Sequence, residues 1–94
     1  MTQAPGNFVS LLSDQSLQSA YLDLVRAFTA AGLDQPHADA RYLLRGILRL
    51  DEVALLRSPE ALLGPGAERL AQAAVRRLAH EPVSRILGAR EFYG

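Results

Sequence analysis

The 94 residues contain no cysteine, which excludes disulfides, thiolate catalysis and cysteine-based zinc sites. Lysine is absent as well: all ten basic residues are arginine, so every fixed positive charge is a planar fork suited to carboxylate or phosphate. Val, Ile and Thr are scarce, which argues against a sheet. No apolar run approaches the ~18 residues of a membrane span. Met1–Ala20 lacks Lys and Arg, and therefore lacks the positive start of a signal or transit peptide. A surplus of either charge is missing too. Ten acids balance the ten arginines, whereas a dedicated nucleic-acid binder carries a basic excess. These absences point to a soluble, cytoplasmic protein without a membrane partner.

What is present is Leu, Ala and helical spacing. The hydrophobic fraction of 49% supports a folded chain, and the length fits one domain with a modest core. Leu17, Ala20, Tyr21, Leu24, Val25 and Phe28 form one apolar stripe at helical period, predicting a helix from about 17 to 31. Gly32 is placed to end it in a left-handed conformation, with Leu33 folding back. Asp34 as cap and Pro36 in the first turn open a second helix, whose apolar stripe is Ala40, Leu43, Leu44, Ile47 and Leu48. Arg41, Arg45 and Arg49 repeat every four residues on another face, the pattern of a solvated stripe. Asp51 can cap a short helix holding Val53, Leu55 and Leu56. Ser58-Pro59-Glu60 carries the signals of another helix start, leading into Ala61, Leu62 and Leu63. Gly64-Pro65-Gly66 is the strongest break. A last long helix is expected over about 67–79, with Leu70, Ala71, Ala74, Val75 and Leu78 facing inward.

Pro82 cannot continue that helix. A final turn over Val83–Leu87 should end at Gly88, with Ala89–Gly94 extended beyond it. At the other end, Phe8, Val9, Leu11 and Leu12 suit a short helical turn. The expected fold class is all-α: a small bundle of four to six helices with an extended C-terminal linker segment. Residues 1–15 form a loose N-terminal segment, 16–87 the helical domain and 88–94 the start of a linker.

No catalytic constellation is visible. Ser and Thr occur in no nucleophile-elbow context, and no Gly-rich loop follows a strand. The carboxylates sit at helix starts, where they serve the macrodipole. His37 and His80, 43 positions apart with no carboxylate pattern around them, do not suggest a metal site. One charge feature remains: five arginines between Arg69 and Arg90 face the single acid Glu81. Its plain explanation is a solvated face; its sharper one is a docking face for a partner, with Arg76, Arg77, Arg85 and Arg90 as candidates.

The tail Glu81-Pro82-Val83-Ser84-Arg85-Ile86-Leu87-Gly88-Ala89-Arg90-Glu91-Phe92-Tyr93-Gly94 resembles the segment E-P-x-x-x-I-L-G-x-R-E-F-[WY]-G of the release factor glutamine methyltransferases, the HemK or PrmC family. Asp39-Ala40-Arg41-Tyr42-Leu43-Leu44 resembles that family's D-A-x-x-L-L helix, and Arg76-Arg77 matches the basic residues ahead of E-P. Position 85, often aromatic in the family, is Arg85. The likeness covers about residues 16–94. It implies a helical substrate-recognition domain joined by a short linker to a methyltransferase domain that binds S-adenosylmethionine. It further implies methylation of the glutamine in the Gly-Gly-Gln motif of peptide-chain release factors. The family's D-x-G-x-G loop and N-P-P-Y motif have no counterpart here, so the resemblance assigns this stretch no catalytic or cofactor-binding residue. The implied partners are a release factor and the chain's own methyltransferase domain. A helical nucleic-acid-binding module and a self-associating bundle are the alternative readings.

Overall fold

The computed structural model describes residues 11–93, of which 89–93 are described as backbone only. Five α-helices follow one another: α1 (Leu17–Ala30), α2 (Pro36–Leu48), α3 (Ala54–Arg57), α4 (Ala67–Leu78) and α5 (Val83–Tyr93), with a 3₁₀ turn at Gly64–Gly66 directly before α4. Among the described residues there is no strand, only an isolated antiparallel bridge between Ser16 and Leu62. No described helix is long and apolar enough to cross a membrane.

α2 lies at the centre, with α1, α4 and α5 all packed on it. Phe28, Leu24, Leu43, Leu44 and Leu70 are the largest fully buried side chains, drawn from α1, α2 and α4. Each contributes about 1.5–3 kcal/mol by leaving water. The apolar stripes read from the spacing are the faces that turn inward, with two adjustments. Val25, Ile47, Leu48, Ala71 and Val75 stop half-buried at the margin, while Ala67 and Ala73 complete the inner face of α4.

α1 begins at Ser16, whose hydroxyl accepts from the Ser19 amide at 3.1 Å. It ends with the Gly32 amide donating to Thr29 O (3.0 Å) and the Leu33 amide to Phe28 O (3.1 Å), with Gly32 at φ 80°. That is the glycine-terminated helix end foreseen from the sequence. Two further left-handed residues are not glycine: Arg49 after α2 (φ 57°) and His80 after α4 (φ 72°).

Several local expectations are corrected. Asp34 does not cap α2; Gln35 occupies that position and makes no side-chain cap, leaving Pro36 as the start signal. Ser58-Pro59-Glu60 forms a turn, and no helix follows it. The reason is tertiary. The amides of Leu17 and Gln18 at the start of α1 need acceptors. They donate to Ala61 O (2.8 Å) and Pro59 O (3.0 Å), while the Leu63 amide donates to Gln15 O (2.9 Å). Residues 61–63 are thereby tied to the start of α1 instead of coiling into a helix. The same pairing continues through Gly64 N–H to Ser13 O at 2.8 Å, so residues 13–16 are tied to the body rather than loose. Leu11 is buried, but it is not helical; Phe8 and Val9 lie outside the described residues. Asp51 does not cap the short α3: Val53 holds that position without a side-chain cap, and Asp51 Oδ1 accepts from the Val53 amide at 3.2 Å in the turn before it.

The tail differs most. Gly88 interrupts α5 with φ 79° and ψ 156°, a conformation essentially reserved for glycine. Beyond it the backbone of residues 89–93 resumes as helix rather than extending. Ala89, Arg90 and Glu91 have good helix propensity, and one glycine redirects such a run without unwinding it. The expected opposite orientation of the Phe92 and Tyr93 side chains lies outside the described residues, as does Gly94.

His80 is exposed and carries a Cβ in a left-handed turn. His80→Gly should therefore stabilise the domain by about 0.5–1 kcal/mol. In a thermal melt the midpoint should rise by about 2–8 °C; an unchanged or lower midpoint would mean that the imidazole contributes a compensating contact.

Candidate interaction site where α4 meets α5

α4 ends in Arg76 and Arg77, two cations in the last turn where the helix dipole favours them. The left-handed turn at His80 folds the following chain back over that end. His80 N–H donates to Arg77 O at 2.9 Å and Glu81 N–H to Arg76 O at 3.1 Å. The Glu81 carboxylate consequently comes to lie beside the arginine that precedes it by five residues. Arg76 donates to it through both Nε, at 2.9 Å to Oε1, and Nη2, to Oε2. This two-pronged hydrogen bond holds the Glu81 carboxyl below the usual carboxylate range; partial burial opposes the shift, and the charges of Arg76 and Arg85 add to it. The same hydrogen bond raises Arg76 above its ordinary value.

Arg77 turns the other way, toward α2. Its Nε donates to Asp39 Oδ2 at 2.9 Å, and its Nη1 donates to the Glu81 carbonyl at 3.3 Å. The pair is largely removed from water, with 18% of the Arg77 side chain and 13% of the Asp39 side chain exposed. One guanidinium thus joins three elements: α2 through Asp39, α4 through its own backbone, and the Glu81-Pro82 turn through a carbonyl. α5 then starts, with the Arg85 and Ile86 amides donating to Pro82 O. Ile86 and Leu87 enter the core at 8% and 7% exposure. Leu87 lies against Gly46 of α2 so closely that a Cβ there would stand 2.6 Å from its Cδ2. A glycine in mid-helix is what lets α5 approach.

The structure therefore separates the four candidate arginines. Arg76 and Arg77 are engaged within the domain, Arg77 mostly buried. Arg85 is exposed on α5. The Arg90 side chain lies outside the described residues. Arg69, at the other end of α4, donates from Nη2 to Ile47 O at 2.8 Å and so closes the last turn of α2. Asp39 enters the sequence reading only through the D-A-x-x-L-L resemblance, with no role assigned, and Gly46 not at all, although both leave a signal. Asp39 sits four residues before Leu43 on the apolar stripe, where an unpaired charge would be costly. Gly46 stands in a helix interior that would otherwise favour alanine.

Chemically, the cluster is a set of charge-assisted hydrogen bonds with no nucleophile paired to a base. His37 lies with its ring 6.3 Å from that of Tyr21, and His80 is committed to the turn. Among the described residues no three acidic or histidine side chains gather to hold a metal ion. An open depression of about 260 Å³ on α1, lined by Ser16, Gln18, Ser19, Leu22 and Arg26, brings none of the candidate arginines together.

Two expectations follow from this geometry. Asp39→Asn leaves the Arg77 guanidinium without its counter-charge, which should cost about 1–3 kcal/mol and lower the melting midpoint by at least about 5 °C. A double-mutant cycle with Arg77→Met should show strong coupling, and additive effects would dismiss the pair as a joint. For Glu81 the folded-state pKa is depressed, so its contribution is present above the unfolded carboxylate value of about 4.3 and is lost as pH falls through the folded value. Glu81→Gln should therefore be less stable than wild type near neutral pH and converge with it in acid melts below about pH 3. A constant gap across that range would contradict the assignment.

Comparison with known proteins agrees with the two motifs that meet in this cluster. The model of the PrmC N-terminal domain matches residues 19–88. A release factor glutamine methyltransferase from Bradyrhizobium diazoefficiens is 46% identical over 81 residues, which is 85% of this chain and 27% of that protein. Its counterpart from Cereibacter sphaeroides is 38% identical over 71 residues, covering 74% of this chain and 26% of that protein. A bifunctional methyltransferase from Rickettsia bellii is 38% identical over 63 residues, 66% of this chain and 11% of the relative. The chain thus spans about a quarter of the length of the first two relatives. No solved structure gives a significant match. With a family model covering most of the domain and the Asp39, Arg76-Arg77 and Glu81–Gly88 motifs meeting in one place, the chain belongs to the PrmC N-terminal domain family.

Proposed function

We propose that these residues are the substrate-holding domain of a cytoplasmic, S-adenosylmethionine-dependent methyltransferase. Its substrate is the glutamine of the Gly-Gly-Gln motif in peptide-chain release factors. The observation that carries the reading is the family match over residues 19–88, together with relatives that bear the name release factor glutamine methyltransferase. The chemistry belongs to a methyltransferase domain outside this stretch, and so does the cofactor. The helical domain contributes a rigid second surface. A pocket that grips one glutamine recognises little of a protein substrate, and a linked surface adds area and effective concentration.

Within this reading the arginines divide by role. Arg76 and Arg77 hold the turn from which α5 departs, and Arg85 and Arg90 are the candidates for contact with the release factor. Substituting Arg76 or Arg77 would disturb the domain itself, so the informative variant is Arg85→Ser with Arg90→Ser in the full-length enzyme. Its kcat/KM toward an intact release factor should fall about tenfold, equivalent to about 1.4 kcal/mol of binding. Activity on a short Gly-Gly-Gln peptide should stay unchanged. Equal activity on the intact factor removes both arginines from recognition, and tight binding of S-adenosylmethionine by residues 1–94 alone would overturn the division of labour.

A further inference from the structure

Among the described residues, four of the six large apolar side chains that remain exposed collect at one end of the bundle. Leu12 (60% exposed), Val53 (41%), Leu56 (85%) and Leu62 (60%) belong there; Leu22 and Tyr42 lie apart on α1 and α2. The common end is fixed by contacts. A Cβ on Gly66, at the start of α4, would meet Leu48 Cδ2, which places that start at the last turn of α2. Gly64 N–H binds Ser13 O and Leu63 N–H binds Gln15 O, which brings Leu12 and Leu62 to the same end. α3 springs from it as well, turned back on Asp51, and it buries none of its own residues. A helix that gives the core only the half-buried Leu55, with Val53 and Leu56 exposed at its edge, is stabilised by little within this domain.

α5 leaves at that end too. It begins beside Glu81, which Arg77 ties to Asp39 near the start of α2. It passes Leu87 over Gly46, two residues before the end of α2, and turns at Gly88. As far as Gly88, α5 therefore runs toward the end that bears the exposed leucines. Asp51, Glu52, Arg57 and Glu60 border them in sequence and are all exposed, giving an apolar centre with a charged rim, the anatomy of a contact surface.

We infer that this apolar end, centred on Leu56, is the seat of the methyltransferase domain of the same longer chain. The inference rests on the reading under Proposed function, and three observations select this occupant. The relatives extend over a further length nearly three times that matched here, α5 runs toward this end as far as Gly88, and the exposed apolar side chains are concentrated there. The contact fixes the angle between the two domains, which a single glycine at position 88 would otherwise leave free.

The test is amide hydrogen exchange of residues 53–62 in the full-length enzyme and in the 94-residue chain. Exchange in the full-length protein should be at least about tenfold slower, which corresponds to a contact that is closed nine-tenths of the time. Leu56→Ser should abolish that difference. The same substitution should leave the melting of the 94-residue chain unchanged, because the side chain contributes nothing to its core. Equal exchange in the two proteins overturns the inference. So does slowing that requires an added release factor, or slowing that grows with the concentration of the short chain, since those results give the surface to the substrate or to a second copy. Methylation of a release factor by the full-length enzyme is assayed in parallel. Its absence would count against the proposed function, whereas normal methylation with unprotected residues 53–62 would count against this contact alone.

Discussion

Arg77 and Asp39 meet in a largely dry pocket between α4 and α2, and the position of every later residue depends on that meeting. α2 already carries α1 on one side through the Leu24, Phe28, Leu43 and Leu44 core. Apolar burial of this kind holds helices together but allows them to slide, because it has little direction. A charge-assisted hydrogen bond of 2.9 Å has direction, and placed across the interface it sets the axial register of α4 on α2. The second prong of the same guanidinium then takes the Glu81 carbonyl, so register and exit are set together.

The turn at His80 is where this constraint is passed on. A left-handed residue after α4 reverses the chain within a few residues, which presents the Glu81 carboxylate to Arg76 and aims Pro82 toward α5. The histidine accepts backbone strain that a glycine would avoid. Downstream, Ile86 and Leu87 plug the core, and Gly46 supplies the space for Leu87 by having no side chain. The conserved-looking tail that resembles a family motif thus has a physical content of its own. Glu81 locks the turn, Ile86 and Leu87 anchor, and Gly88 redirects.

This arrangement separates two uses of arginine that composition cannot distinguish. Arg69, Arg76 and Arg77 satisfy carbonyls and carboxylates inside the domain, closing helix ends and joining helices. Arg85 points none of its described hydrogen bonds inward beyond the backbone of its own helix and stays exposed. The proposed recognition surface draws on arginines that the fold leaves exposed.

Much of this protein was legible before its structure. Periodicity placed α1, α2 and α4, because an apolar stripe at helical spacing has few other ways to leave water. Gly32 announced the end of α1, and Pro82 the end of α4, because each acts on its own backbone. What failed locally failed for a nonlocal reason. Ser58-Pro59-Glu60 reads as a helix start, but the Pro59 and Ala61 carbonyls are taken by the open amides of α1, a partner about forty residues away that no local pattern reveals. The tail reads as extended, yet helix resumes after Gly88. By itself the sequence determined the helical class and the family, since these depend on composition, spacing and motif. Only the tertiary structure decided which arginines are engaged by the fold, that Asp39 answers Arg77, and that Gly46 makes room for Leu87. Each of those is a meeting of residues distant in the chain, and proximity in space is created by packing rather than written in any single segment.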